Sequence, residues 1–144
     1  MLKLDIPIHI FNRILEQGKA EAPIEACGIL AGSDSKVKKL YKMTNIDKSR
    51  THFMMAPGEQ FKVMKDLRSA GFEMLAIYHS HPATPARVSN EDIRLALTPD
   101  VIYLIVSLQN ADNPAVKGFL IEDGNATEVP IKVLQSSTGR DRDR

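Results

Sequence analysis

Residues 73–82, EMLAIYHSHP, constrain the fold more than any other stretch. An apolar run of this length, cut off by a proline that donates no backbone hydrogen bond, reads as a central strand of a covered sheet. VIYLIVSL at 101–108 is a second run of the same kind, and ACGILAG at 26–32 a third, closed by Gly32, Ser33 and Asp34. KVKKLYKM then alternates loosely and is expected to pair with the third run as a hairpin. AVKGFLIE and ATEVPIKVL flank Asp123-Gly124-Asn125, a hairpin turn signal.

Helical spacing fills the intervals. Ile6, Ile10, Phe11, Ile14 and Leu15 predict a helix over roughly residues 6–20, starting at Asp5-Ile6-Pro7. PGEQFKVMKDLRSAG places Phe61, Met64 and Leu67 on one face, between Pro57 and Gly71. The expectation is one α/β domain over 1–134, a central mixed sheet flanked by helices. QSSTGRDRDR at 135–144 reads as a disordered polar tail.

Charge excludes several partners. Lys plus Arg is 19 and Asp plus Glu is 18, a formal net charge of +1, which makes no case for nucleic acid or an anionic membrane surface. The single cysteine, Cys27, leaves no intramolecular disulfide framework and no site built from several thiolates. MLKLDIPIHIF meets Asp5 and Pro7 before any long apolar run, so it does not read as a signal peptide, and VIYLIV is far too short to span a bilayer. The expected setting is cytoplasmic.

The chemistry concentrates after the first run. In an extended strand, residues two apart share a face, so His79 and His81 project together with Cα atoms about 7 Å apart. Imidazole nitrogens so placed can converge on one ion. Pro82 stops the strand, ATPARV returns the chain, and SNEDIRLAL reads as a helix start with Asp92 in its first turn. Two histidines and a carboxylate would form an open, catalytic zinc set rather than a closed structural one. Each element alone has a plainer reading. A strand-end histidine is usually structural, and Ser89 with Asp92 nearly makes a capping box.

Together they are specific. HSHPATPARVSNED, residues 79–92, matches the His-x-His-Pro-x6-Ser-x-x-Asp signature of the JAMM metalloproteases, or MPN-plus domains. PIEACGILAG resembles that family's other element, a glutamate just before a Cys-Gly strand. The similarity extends over residues 5–133 and is greatest to compact prokaryotic members that process ubiquitin-like sulfur-carrier proteins. It implies a partly barrel-like sheet related to the cytidine-deaminase architecture. It also implies Zn²⁺ held by His79, His81 and Asp92, with Glu25 as general base and Ser89 donating its hydroxyl to the oxyanion. Only the resemblance selects Glu25 among eight glutamates.

The implied reaction is hydrolysis of an amide after the C-terminal glycines of a ubiquitin-like or sulfur-carrier protein, whose extended tail suits strand addition at a sheet edge. The alternative is a non-catalytic interaction scaffold of the same fold. A zinc nucleoside deaminase would need a Pro-Cys-x-x-Cys pair, which one cysteine excludes. Cys27 reads as packing, although a nucleophile paired with His79 or His81 is conceivable. Ser80 is expected on the opposite face in a structural role, Arg87 as a solvated charge, and His9 and His52 without partners. A homodimer remains open.

Overall fold

The computed structural model describes residues 2–135. The chain runs β1 (Leu4–Pro7), α1 (Ile8–Glu21), β2 (Cys27–Ser33), β3 (Lys36–Met43), α2 (Pro57–Ser69) and β4 (Glu73–His81). It continues through α3 (Asn90–Leu95), β5 (Ile102–Ser107), β6 (Ala115–Glu122), β7 (Asn125–Val129) and β8 (Ile131–Leu134). The strands form one mixed sheet in the order β7-β6-β5-β4-β2-β3-β1-β8. β4 and β5 are parallel, joined by the crossover that carries α3, and β1 is parallel to both β3 and β8. Both expected hairpins form. Asp34-Ser35 and Asp123-Gly124 all take positive φ, the pattern of the two-residue turn whose twist matches its strands.

β7 and β8 stand at opposite edges of the sheet, yet only Pro130 separates them. The sheet must therefore curl until its edges approach, which gives the nearly barrel-like form. Gly118 on β6 shows the closeness: a Cβ there would lie 2.5 Å from Ile131 Cδ1 on β8. ATEVPIKVL thus supplies the hairpin arm only as far as Val129. Pro130 has no N–H to extend that ladder, and the rest of the segment joins the far edge.

The first helix begins later than its spacing predicts. Ile6 is in phase with Ile10 and Ile14, but it also alternates with Leu4, and both Leu4 and Ile6 are fully buried. Strand wins because β1 fills the slot between β3 and β8. In α2, Val63, Met64 and Leu67 turn inward, whereas Phe61 is exposed with the Lys65 ammonium over its ring. All but Gln135 of the polar tail lies outside the described residues.

Period-two alternation divides the core between the two faces of the sheet. Leu30, Tyr78, Leu104 and Val106 pack with Ile10 and Ile14 of α1. Ile29, Ile77, Tyr103 and Ile105 pack with Leu67 of α2. Each fully buried aliphatic side chain contributes about 1.5–3 kcal/mol. Gln17 of α1 is buried against the sheet, where it donates to the Cys27 carbonyl at 3.0 Å and accepts from the Tyr78 hydroxyl. Gly28 makes room for that tyrosine, since a Cβ would sit 2.2 Å from its ring. Among the described residues no helix is long and apolar enough to cross a membrane.

Candidate metal centre

β4 stays paired to β5 through His81, while its pairing with β2 reaches His79, which lies opposite Cys27 of β2 and Ile105 of β5. His79 and His81 therefore keep the strand alternation and share the face of Ile77, with ring centroids 4.9 Å apart. After Pro82 the loop is tied down where Ser107 of β5 donates to the Thr84 carbonyl at 2.6 Å, and Ala86 is buried. α3 then begins with a complete capping box. The Asp92 N–H donates to Ser89 Oγ at 3.0 Å, and the Ser89 N–H donates to Asp92 Oδ2 at 3.0 Å. The box aims the carboxylate at the histidines: Oδ1 is 3.0 Å from His79 Nε2, and Oδ2 is 3.1 Å from His81 Nε2.

One potential ligand atom from each of the three buried residues lies within 4.8 Å of the others. The two Nε2 atoms are 3.1 Å apart. His81 Nδ1 donates to the Pro85 carbonyl at 2.9 Å, so Nε2 carries the inward lone pair whenever the ring is neutral. Burial lowers the His79 pKa against the pull of Asp92. Burial acts the same way on His81, but hydrogen bonds to Asp92 and Pro85 and the Asp92 charge outweigh it and raise that pKa. Burial would raise Asp92, yet its contacts with both imidazoles hold it well below the usual carboxylate range. Two imidazoles and an ionised carboxylate suit zinc. The donors fit the ion that the resemblance implies.

Glu25 approaches from β2. The Ser80 N–H donates to the Ala26 carbonyl at 3.0 Å, which holds the residues just before β2 beside the histidine-bearing end of β4. The Glu25 side chain is 2 % exposed, and Oε1 has no hydrogen-bond partner among the described residues. Burial pushes this carboxyl up to about 8, against the lowering influence of His81. An unpartnered buried carboxyl costs stability, and such costs cluster at working sites. Cys27 is fully buried and its thiol is pushed up to about 12, chiefly by burial, which removes the thiolate that a nucleophile requires.

The loop between β3 and α2 adds residues that sequence reading missed. Phe53 stacks on the His79 ring at 4.8 Å and 28°. His52, expected to lack partners, is 3.0 Å from both Asp47 Oδ2 and Ser49 Oγ. Asn45 uses its whole amide, donating to the carbonyls of Glu25 and His52 and accepting from the N–H groups of Asp47 and Met54. Nothing in the sequence marked Phe53 or Asn45, which lie outside any periodic segment. His9 and Arg87 are exposed. A small cavity over His79 and Asp92 shares Phe53, Leu95 and Tyr103 with an apolar groove that continues past Met54 and Leu97, the latter 82 % exposed.

With this geometry in hand, known proteins give the kinship. Residues 7–118 match the family described as prokaryotic homologues of the JAB domain. The chain belongs to that family. The CysO-cysteine peptidase of Mycobacterium tuberculosis is 34 % identical over 134 residues, 92 % of each chain. A probable TtuB-protein conjugate cleaving protease of Thermus thermophilus is 33 % identical over 134 residues, covering 88 % of this chain and 83 % of that protein. In three dimensions, a Desulfitobacterium hafniense protein known from a solution structure superposes with a TM-score of 0.84 at 36 % identity, over 98 % of both chains. The chain is a compact prokaryotic JAMM-type peptidase, and the scaffold alternative gives way to an enzyme.

Proposed function

We propose that this JAMM enzyme is a zinc-dependent peptidase that hydrolyses the amide or isopeptide bond after the C-terminal glycines of a ubiquitin-like or sulfur-carrier protein. The convergence of His79, His81 and Asp92 beside a buried, unpartnered Glu25 carries this reading. The two named relatives, one acting on a CysO–cysteine bond and the other on TtuB–protein conjugates, support the substrate class.

His79 Nε2, His81 Nε2 and the Asp92 carboxylate would hold the metal. Zinc, when bound, supplies Lewis acidity, bringing the pKa of water toward about 7 and polarising a carbonyl. Glu25 Oε1 accepts the proton released from the attacking water and delivers it to the departing amine. Burial raises the basicity of this carboxyl in the metal-free protein, and a bound dication beside it would favour the ionised form that accepts the proton. Ser89 Oγ accepts from the Asp92 N–H, which leaves its own hydrogen free to donate to the carbonyl oxygen. Helix capping and catalysis are compatible in this residue. The groove past Phe53, Met54 and Leu97 receives the extended tail upstream of the scissile bond.

Chelation is the direct test. Protein stripped of metal should fail to cleave a carrier–cysteine conjugate, and added zinc should restore cleavage. Full activity after verified metal removal would overturn the reading.

Zinc affinity should also depend on pH. His79 is biased to its neutral form and Asp92 to its ionised form, whereas the raised His81 pKa makes that ring the proton to be displaced. Affinity should therefore weaken as pH falls through the His81 pKa, by about tenfold per pH unit for one competing proton. Competition titrations between pH 5 and 8 check this, and a flat profile would contradict it.

A further inference from the structure

Ser80 lies between the two histidines but faces the other side of the sheet, under α1. It is 3 % exposed, and its Cβ lies 3.6 Å from where a Cβ on Gly18 would stand. The β2–β4 ladder changes character at this residue. The Ser80 N–H donates to the Ala26 carbonyl at 3.0 Å, as ladder pairing requires. The reciprocal donor, the Ala26 N–H, goes to the Ser80 side chain instead, reaching Oγ at 2.8 Å. Regular β2 starts only at Cys27. A side-chain hydroxyl therefore fixes the peptide that joins Glu25 to the sheet.

From this substituted bond we infer that Ser80 is a positioning residue for Glu25, acting through the Ala26 N–H to set the carboxyl over the histidine–aspartate cluster. The inference rests on the proposed role of Glu25 as proton carrier. The other restraints on Glu25 come from the mouth of the site: its N–H donates to the Ser49 carbonyl at 2.9 Å, and its carbonyl accepts from Asn45 Nδ2 at 3.0 Å. Among the described residues, Ser80 alone ties it to the strand that carries the two histidines. Without the hydroxyl, the Ala26 N–H is orphaned in a buried place and the segment shifts to find an acceptor. His79 and His81 are built on the paired backbone of β4 and keep their geometry. The loss should therefore fall on proton transfer and leave metal and substrate binding in place.

The test uses zinc-loaded protein and a carrier–cysteine conjugate, comparing Ser80→Ala, Ser80→Thr, Glu25→Gln and the Ala/Gln double variant. Ser80→Ala should lower kcat on the order of 10–100-fold with KM and zinc content unchanged, because a small misplacement of a reacting group costs that much. Ser80→Thr, which keeps the hydroxyl, should recover most of the rate. In the Glu25→Gln background the alanine should cost less than about twofold, the non-additivity expected when one residue acts through another. If Ser80→Ala fails to fold, Ser80→Cys, of similar shape but a weak acceptor, is read by the same criteria; a folded alanine variant that loses its zinc overturns the inference. Parent-like kcat in the alanine variant, or an equal loss in both backgrounds, overturns the inference while Glu25 keeps its role. Parent-like turnover in Glu25→Gln overturns both.

Discussion

Glu25→Gln is expected to fold, to bind zinc as tightly as the parent and to lose about 100- to 10,000-fold in turnover, the usual worth of a positioned general base. Glutamine copies the shape of the side chain, and Glu25 is outside the cluster of three metal-capable residues. Binding should thus survive the change. What disappears is an oxygen that can take a proton. Stability moves the other way in the metal-free protein. The folded carboxyl titrates near 8 against an ordinary 4.5, so folding favours its protonated form. That favourable contribution is fully present below about pH 4.5 and is lost as pH rises through 8. The amide does not ionise. Metal-free Glu25→Gln should therefore melt above the metal-free parent at pH 8, with the gap closing toward pH 4.5. Turnover assays with metal analysis and thermal melts at the two pH values check both halves. Near-normal turnover would remove Glu25 from the mechanism.

The sequence disclosed the parts of this site that strand and helix periodicity control. His79 and His81 share a face because β4 stays extended to His81, and Asp92 sits in the first turn of α3 because Ser89 caps it. Those are local rules, readable from two-residue and three-residue spacings. The residues that escaped are set by tertiary closure. Phe53 reaches His79 from a loop remote in sequence, and Asn45 joins that loop to Glu25. No periodic pattern encodes such contacts. β1 departs from the helix that its spacing predicts for a related reason: its residues satisfy two periodicities, and only the open slot between β3 and β8 decides between them. Pro130 was visible, but its effect depends on a sheet curled enough to offer a second edge.

Asp92→Asn should separate the helix capping that the aspartate performs from the metal binding proposed for it. Its two oxygens approach different histidines, and Oδ2 also accepts the Ser89 N–H. An asparagine carbonyl can still accept from Ser89, and the N–H of residue 92 can still reach Ser89 Oγ. The start of α3 should hold. The negative charge is gone, however, and the new amide nitrogen is a donor facing imidazole lone pairs that the metal needs. Zinc affinity should fall by at least about 100-fold, more than the loss of an outer-shell partner costs, and turnover should fall with it. Asp92→Ala should lose the metal to a similar degree and also the reciprocal capping bond, a further destabilisation of about 0.5–2 kcal/mol. The difference in melting between the metal-free Asn and Ala variants therefore reports the cap, and competition titration of each reports the ligand. An asparagine variant that binds zinc with parent affinity would place the third ligand elsewhere, leaving Asp92 as the cap that orients His81.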